Sequence, residues 1–155
     1  MNKTIKVSFE ELYPLIENAI ETGNNFSFVA FGNSMFPFIR GGKDKVTLSP
    51  VKAPLHKGDI IFYKRDCGTF VLHRITKTRG EQFELCGDNQ FRIEKEIRMD
   101  QVIAVLTDVE RNKKKLSLDS FSSKLWIAYL PLRRFVKKLA FLCTRIPKKI
   151  ASLFH

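Results

Sequence analysis

From Phe26 to Glu110 the chain is cut into short runs of β-branched and aromatic residues by glycine, proline and charged turns. The punctuation falls at Gly41-Gly42, Pro50, Pro54, Lys57-Gly58-Asp59, Asp66-Cys67-Gly68, Arg79-Gly80 and Gly87-Asp88-Asn89. The runs between predict strands near 26–31, 45–49, 59–64, 69–77, 81–86 and 102–109. Strands this short with turns this frequent imply a mainly β body, a compact barrel or a pair of packed sheets.

The flanks follow another period. Ser8 with Glu11 reads as a capping box, and Leu12, Leu15, Ile16, Ala19 and Ile20 form a helical stripe that stops at Gly23. Pro14 lacks the N–H an interior position needs, so this helix is expected to kink or to begin there. After Arg111-Asn112-Lys113-Lys114-Lys115, residues Leu132, Val136, Leu139, Cys143, Ile146, Ile150 and Leu153 recur at steps of four and three. That spacing predicts an amphipathic helix, with Pro131 and Pro147 expected at helix starts. The 155 residues therefore divide into an N-terminal helical segment (1–25), one β-rich domain (26–112) and a basic helical tail (113–155).

Charge separates the same parts. The net charge is +11, and residues 111–155 hold 12 Lys and Arg against Asp119 alone. The remainder is neutral. A neutral body with a cationic tail suggests that one part does chemistry while the other attaches. Cys67, Cys86 and Cys143 lack metal-site spacing, so they read as idle thiols and no metal or cofactor is expected. Residues 1–10 hold no secretory or spanning stretch, which places the expected body in the cytoplasm.

Four local signals occur in one order: Gly32-Asn33-Ser34-Met35-Phe36-Pro37, Lys57-Gly58-Asp59-Ile60-Ile61-Phe62, His73-Arg74-Ile75, and Gly87-Asp88-Asn89. Each alone is an ordinary turn or strand. Together, over residues 28–109, they resemble the signal peptidase I family and the related self-cleaving repressor peptidases. The His73-Arg74 pair is similar to the branch of that family whose base is histidine. The resemblance implies a barrel-like signal-peptidase fold, a nucleophile at Ser34, a base at His73 and an acidic orienter at Asp88. Some relatives place the orienter a few residues later, which here is Glu94.

The chemistry of such a set is general. A serine hydroxyl attacks poorly until a hydrogen-bonded base takes its proton, and that base must then protonate the leaving amine. Imidazole does both near neutrality. Asp88 or Glu94 could fix its tautomer, while Asp59 is expected to anchor the fold. Lys64 and Lys77 are fallback bases, but either needs burial to lose its proton. The oxyanion formed on attack needs donors, for which the Ser34 N–H and Asn33 are candidates. Relatives often carry a small hydroxyl residue where this chain has Gly32. Gly32 could instead let a substrate strand pass close to the backbone.

An extended peptide or protein substrate is expected to add to an exposed strand edge at Phe28, Val29, Ala30 and Phe31, with Met35 beside the nucleophile. The resemblance implies small residues before the cut. The tail, with Trp126, Tyr129, Phe135, Phe141 and Phe154 among its cations, suits a helix lying on an anionic membrane on the inner face. Packing on its own domain or on another chain is the alternative. Nucleic acid is disfavoured because no reader motif accompanies the charge. Two rival functions stay open, a self-cleaving regulator and a catalytically degenerate peptide binder, the second favoured by Gly32.

Overall fold

The structure, a computed structural model, describes residues 9–52, 54–118 and 121–151. Helix α1 spans Phe9–Glu21, and eight strands follow: β1 (Phe26–Val29), β2 (Lys45–Ser49), β3 (Ile60–Lys64), β4 (Phe70–Arg79), β5 (Gln82–Cys86), β6 (Glu94–Arg98), β7 (Val102–Arg111) and β8 (Lys114–Leu116). Helix α2 closes the chain at Phe121–Ala151. All pairings are antiparallel, in the order β1-β2-β7-β3-β4-β5-β6, with β8 on the far half of β7. The sheet does not close on itself; β1 and β6 are its ends.

Both faces of β3 are buried, which is why its sequence is almost uniformly apolar. Ile60 and Phe62 point into a cluster with Ile16 of α1, Val46, Leu48, Ala104 and Leu106. Ile61 and Tyr63 point the other way, onto Ile75, Phe83, Leu85 and Ile97. Each large apolar side chain so buried contributes about 1.5–3 kcal/mol. The two clusters fix the register that carries His73 opposite Ile61.

Several expectations change. The expected cap at Ser8 lies outside the described residues, whereas Pro14 sits inside α1. Gly23 ends that helix at φ 79°, with the Asn24 N–H donating to Ala19 O at 2.8 Å. Two strands were not legible, β6 and β8, because Glu-Lys-Glu-Ile-Arg and Lys-Lys-Leu carry almost no apolar alternation. Helix α2 runs through Pro131 and Pro147, where helix starts were expected. Contacts from Trp126, Leu130 and Arg133, on either side of Pro131, hold that part against the body.

Candidate active site

Ser34 lies in a turn after β1. Backbone geometry fixes it there: Gly32 adopts φ 73°, and a Cβ placed on Gly41 would fall 2.0 Å from Gly32 O. Glycine is thus favoured at Gly32 by its positive φ and required at Gly41 by the close crossing of the chain. The following loop is tied down by Asp44, wholly buried, which binds Arg40 and Arg111. Arg111 also donates to the carbonyls of Pro37 and Phe38, at 3.2 and 2.9 Å. Burial alone would push the Asp44 carboxyl up, but hydrogen bonds from Arg111 and Arg40 hold it below its ordinary value.

His73, 1% exposed, comes from the middle of β4. Its Nδ1 is 3.0 Å from Glu94 Oε1, and the Tyr63 hydroxyl is 3.4 Å from the same nitrogen. Glu94 opens β6 opposite Leu85, and Arg65 clamps it with two hydrogen bonds of 2.7 and 2.6 Å. Burial opposes ionisation of Glu94, yet the Arg65 and Tyr63 hydrogen bonds and the His73 ring keep its carboxyl below the ordinary value. A carboxylate at Nδ1 makes Nδ1 the protonated nitrogen, so Nε2 carries the lone pair.

That nitrogen faces Gly87. An added Cβ at Gly87 would lie 2.6 Å from Ser34 O and 3.1 Å from His73 Nε2, so one glycine separates the Ser34 backbone from the imidazole. The Asn89 N–H donates to Ser34 O at 2.7 Å, strapping the same loop to the Ser34 turn. Among the described residues no hydrogen bond joins Ser34 Oγ to His73, and none occupies the Ser34 N–H. Asn33 is exposed, and its carbonyl accepts from the Phe36 N–H at 3.2 Å.

Asp88 is placed elsewhere. Its carboxylate takes two hydrogen bonds from Arg74, 2.9 and 2.8 Å, and one from Trp126 Nε1 at 3.1 Å. Arg74 is itself buried and reaches Gly58 O at 2.8 Å. Asp88 thus neutralises the buried Arg74 guanidinium, and Glu94 is the carboxylate on the His73 imidazole. Lys64 and Lys77 are both exposed, with Lys64 over the rings of Tyr13 and Phe70, so neither has the burial a lysine base requires. Asp59 caps its own turn, accepting from the His56 N–H at 2.7 Å.

Burial drives His73 down to about 4, with Glu94 opposing the shift. The ring is neutral above that value and ready to accept a proton, and Glu94 would stabilise the cation once formed.

Beside Ser34 opens a cleft of about 240 Å³, lined by Phe28, Ala30, Phe31, Met35, Phe62 and Leu72 among others. Val29 is turned away from it, as strand alternation demands. The outer edge of β1 is unpaired within the sheet. Among the described residues, no three His, Cys, Asp or Glu side chains group as a metal site, and no helix is long and apolar enough to cross a membrane. No family model matches the sequence, and no curated protein is significantly similar to it.

Proposed function

We propose that the chain is a serine endopeptidase of the signal-peptidase kind, with Ser34 as nucleophile, His73 as general base and Glu94 as the group that orients the imidazole. The observation that carries the reading is the environment of His73: a carboxylate on Nδ1, a lone pair on Nε2, and Ser34 just across Gly87. Attack by Ser34 Oγ on a peptide carbonyl would send its proton to Nε2. The Ser34 N–H would receive the oxyanion, and the imidazolium would then protonate the leaving amine. A substrate strand would pair with the free edge of β1 and place an apolar side chain in the cleft by Phe28, Ala30 and Leu72. The open sheet would be a variant of the barrel-like signal-peptidase fold. The substrate class is a peptide or leader segment, met at an anionic membrane surface to which the basic tail attaches on the cytoplasmic side.

A second reading has its own support. The missing bond from Ser34 Oγ to His73, with Gly32 where relatives offer a hydroxyl, fits a peptide binder that has lost catalysis. A fluorophosphonate probe separates the two. The hydrolase reading expects a covalent adduct on Ser34, lost in Ser34→Ala and reduced on the order of 10³-fold in His73→Ala. An unlabelled Ser34 in a folded protein that still binds extended peptides establishes the binder instead.

A further inference from the structure

Helix α2 carries different chemistry on opposite faces. Inward it touches the very loop that separates Ser34 from His73. Arg133 donates to Asp88 O at 2.6 Å, to Asn89 Oδ1 at 3.1 Å and to Phe36 O at 3.3 Å. Lys137 donates to Asn89 O at 2.6 Å and also contacts Asn89 Oδ1. Trp126 holds the Asp88 carboxylate, and Leu130 between them is buried. The helix thus pins both the turn after Ser34 and the loop over His73.

Outward, Leu125, Tyr129, Leu132, Val136, Leu139 and Leu142 recur at steps of four and three, all largely exposed, with Leu132 at 59%. Among the described residues this face packs against no other element, and Tyr129 touches only its neighbour on the helix, Trp126, with ring centroids 5.8 Å apart. Exposed Lys124 and Lys138 stand on α2 beside it, in a segment holding all of the protein's excess positive charge. An apolar helical stripe with lysines alongside fits the headgroup layer of an anionic bilayer better than a neutral protein surface.

We propose that α2 couples membrane docking to the active site: an anionic bilayer that beds its outward face tightens the Arg133 and Lys137 grip on the Gly87–Asn89 loop. The reason is thermodynamic. Both sets of contacts need the same helix formed, and the ordering cost of a helix is shared by everything that binds it. Whatever stabilises one face therefore favours the contacts of the other, reciprocally. The two faces do not compete, because the exposed Leu125, Leu132, Val136, Leu139 and Leu142 are not among the residues that hold the Gly87–Asn89 loop.

The consequence for catalysis rests on the hydrolase reading, but the coupling itself can be read without it. Hydrogen exchange of the Asn89 amide, which donates to Ser34 O, reports the loop directly. With vesicles of phosphatidylcholine and phosphatidylglycerol in equal parts, the full chain is expected to float, and Asn89 exchange to slow roughly 5-fold or more. Ser34 labelling by the fluorophosphonate should accelerate in parallel. Leu132→Asp with Val136→Asp should abolish flotation while leaving exchange and labelling in buffer unchanged. Arg133→Ala with Lys137→Ala should still float but show no slowing, and Arg133→Lys should restore part of it. Flotation with unchanged Asn89 exchange overturns the coupling, as does equal slowing in the Arg133/Lys137 variant. A chain that self-associates through this face and does not float overturns it too. If Asn89 responds while Ser34 never labels, the coupling stands and the hydrolase reading falls.

Discussion

Asp88 and Glu94 were the two carboxylates the sequence offered to His73, and they do opposite work. Asp88 answers a buried guanidinium, so Asp88→Asn is expected to destabilise the fold by about 3–5 kcal/mol, measured by denaturant unfolding. Glu94→Gln leaves Arg65 partly in water, so its fold should survive. Its Ser34 labelling rate should nonetheless drop by up to about 10³-fold, no further than in His73→Ala. Equal loss of stability in both variants would contradict this division. The buried imidazole also predicts a pH effect on stability. Unfolded, His73 takes a proton near its ordinary value of about 6.5; folded, only near about 4. Between these values the unfolded state binds more protons, so stability is complete above pH ~6.5 and falls as pH drops toward 4. Thermal unfolding of the protein beside His73→Gln, which lacks this slope, checks it.

At the scale of elements, much was legible and the misses have physical causes. The alternation in Phe26–Glu110 revealed six strands because each buries apolar side chains. Glu94–Arg98 was invisible because β6 is an edge strand with one buried residue, Ile97. Missing β6 hid the register that sets Glu94 against Leu85 and so against His73, which is why residue patterns could not choose the orienter. The stripe Leu132, Val136 and Leu139 was legible as a helix face, but not that it turns outward. The inward face is held by Arg133 and Lys137 bonding to loop carbonyls and by Trp126 bonding to the Asp88 carboxylate, and no apolar period announces such contacts. Gly32 gives a prediction here. Gly32→Ser supplies the hydroxyl that the resemblance to signal peptidases implies at this position, but at φ 73° it should cost about 1–2 kcal/mol and bring no gain in labelling. A faster Ser34 in Gly32→Ser would show that the turn lacks an oxyanion donor.

Over the whole molecule, the charge imbalance proves less uniform than a neutral body and a free cationic tail. Arg111 belongs to the body through Asp44, and Arg133 and Lys137 are committed to the Gly87–Asn89 loop. Lys115 pairs with Asp108 at 3.4 Å and part of the Arg134 guanidinium is buried, whereas Lys124 and Lys138 are exposed and available for a surface. Binding to anionic vesicles is therefore expected to weaken as salt rises from 0.05 to about 0.5 M, where the screening length falls to a few ångströms. A chain ending at Lys115 should not float at all, and equal flotation of the two chains would remove the membrane assignment.

The pairing of Ser34 with His73 is tested most directly by the pH dependence of fluorophosphonate labelling at Ser34, mapped by peptide mass spectrometry. Labelling should be level from pH 8 down to about 5, fall through a single limb near 4, and lose that limb along with most of its rate in His73→Ala. A limb in the lysine range that is untouched by His73→Ala, or no adduct on Ser34 at any pH, would contradict it.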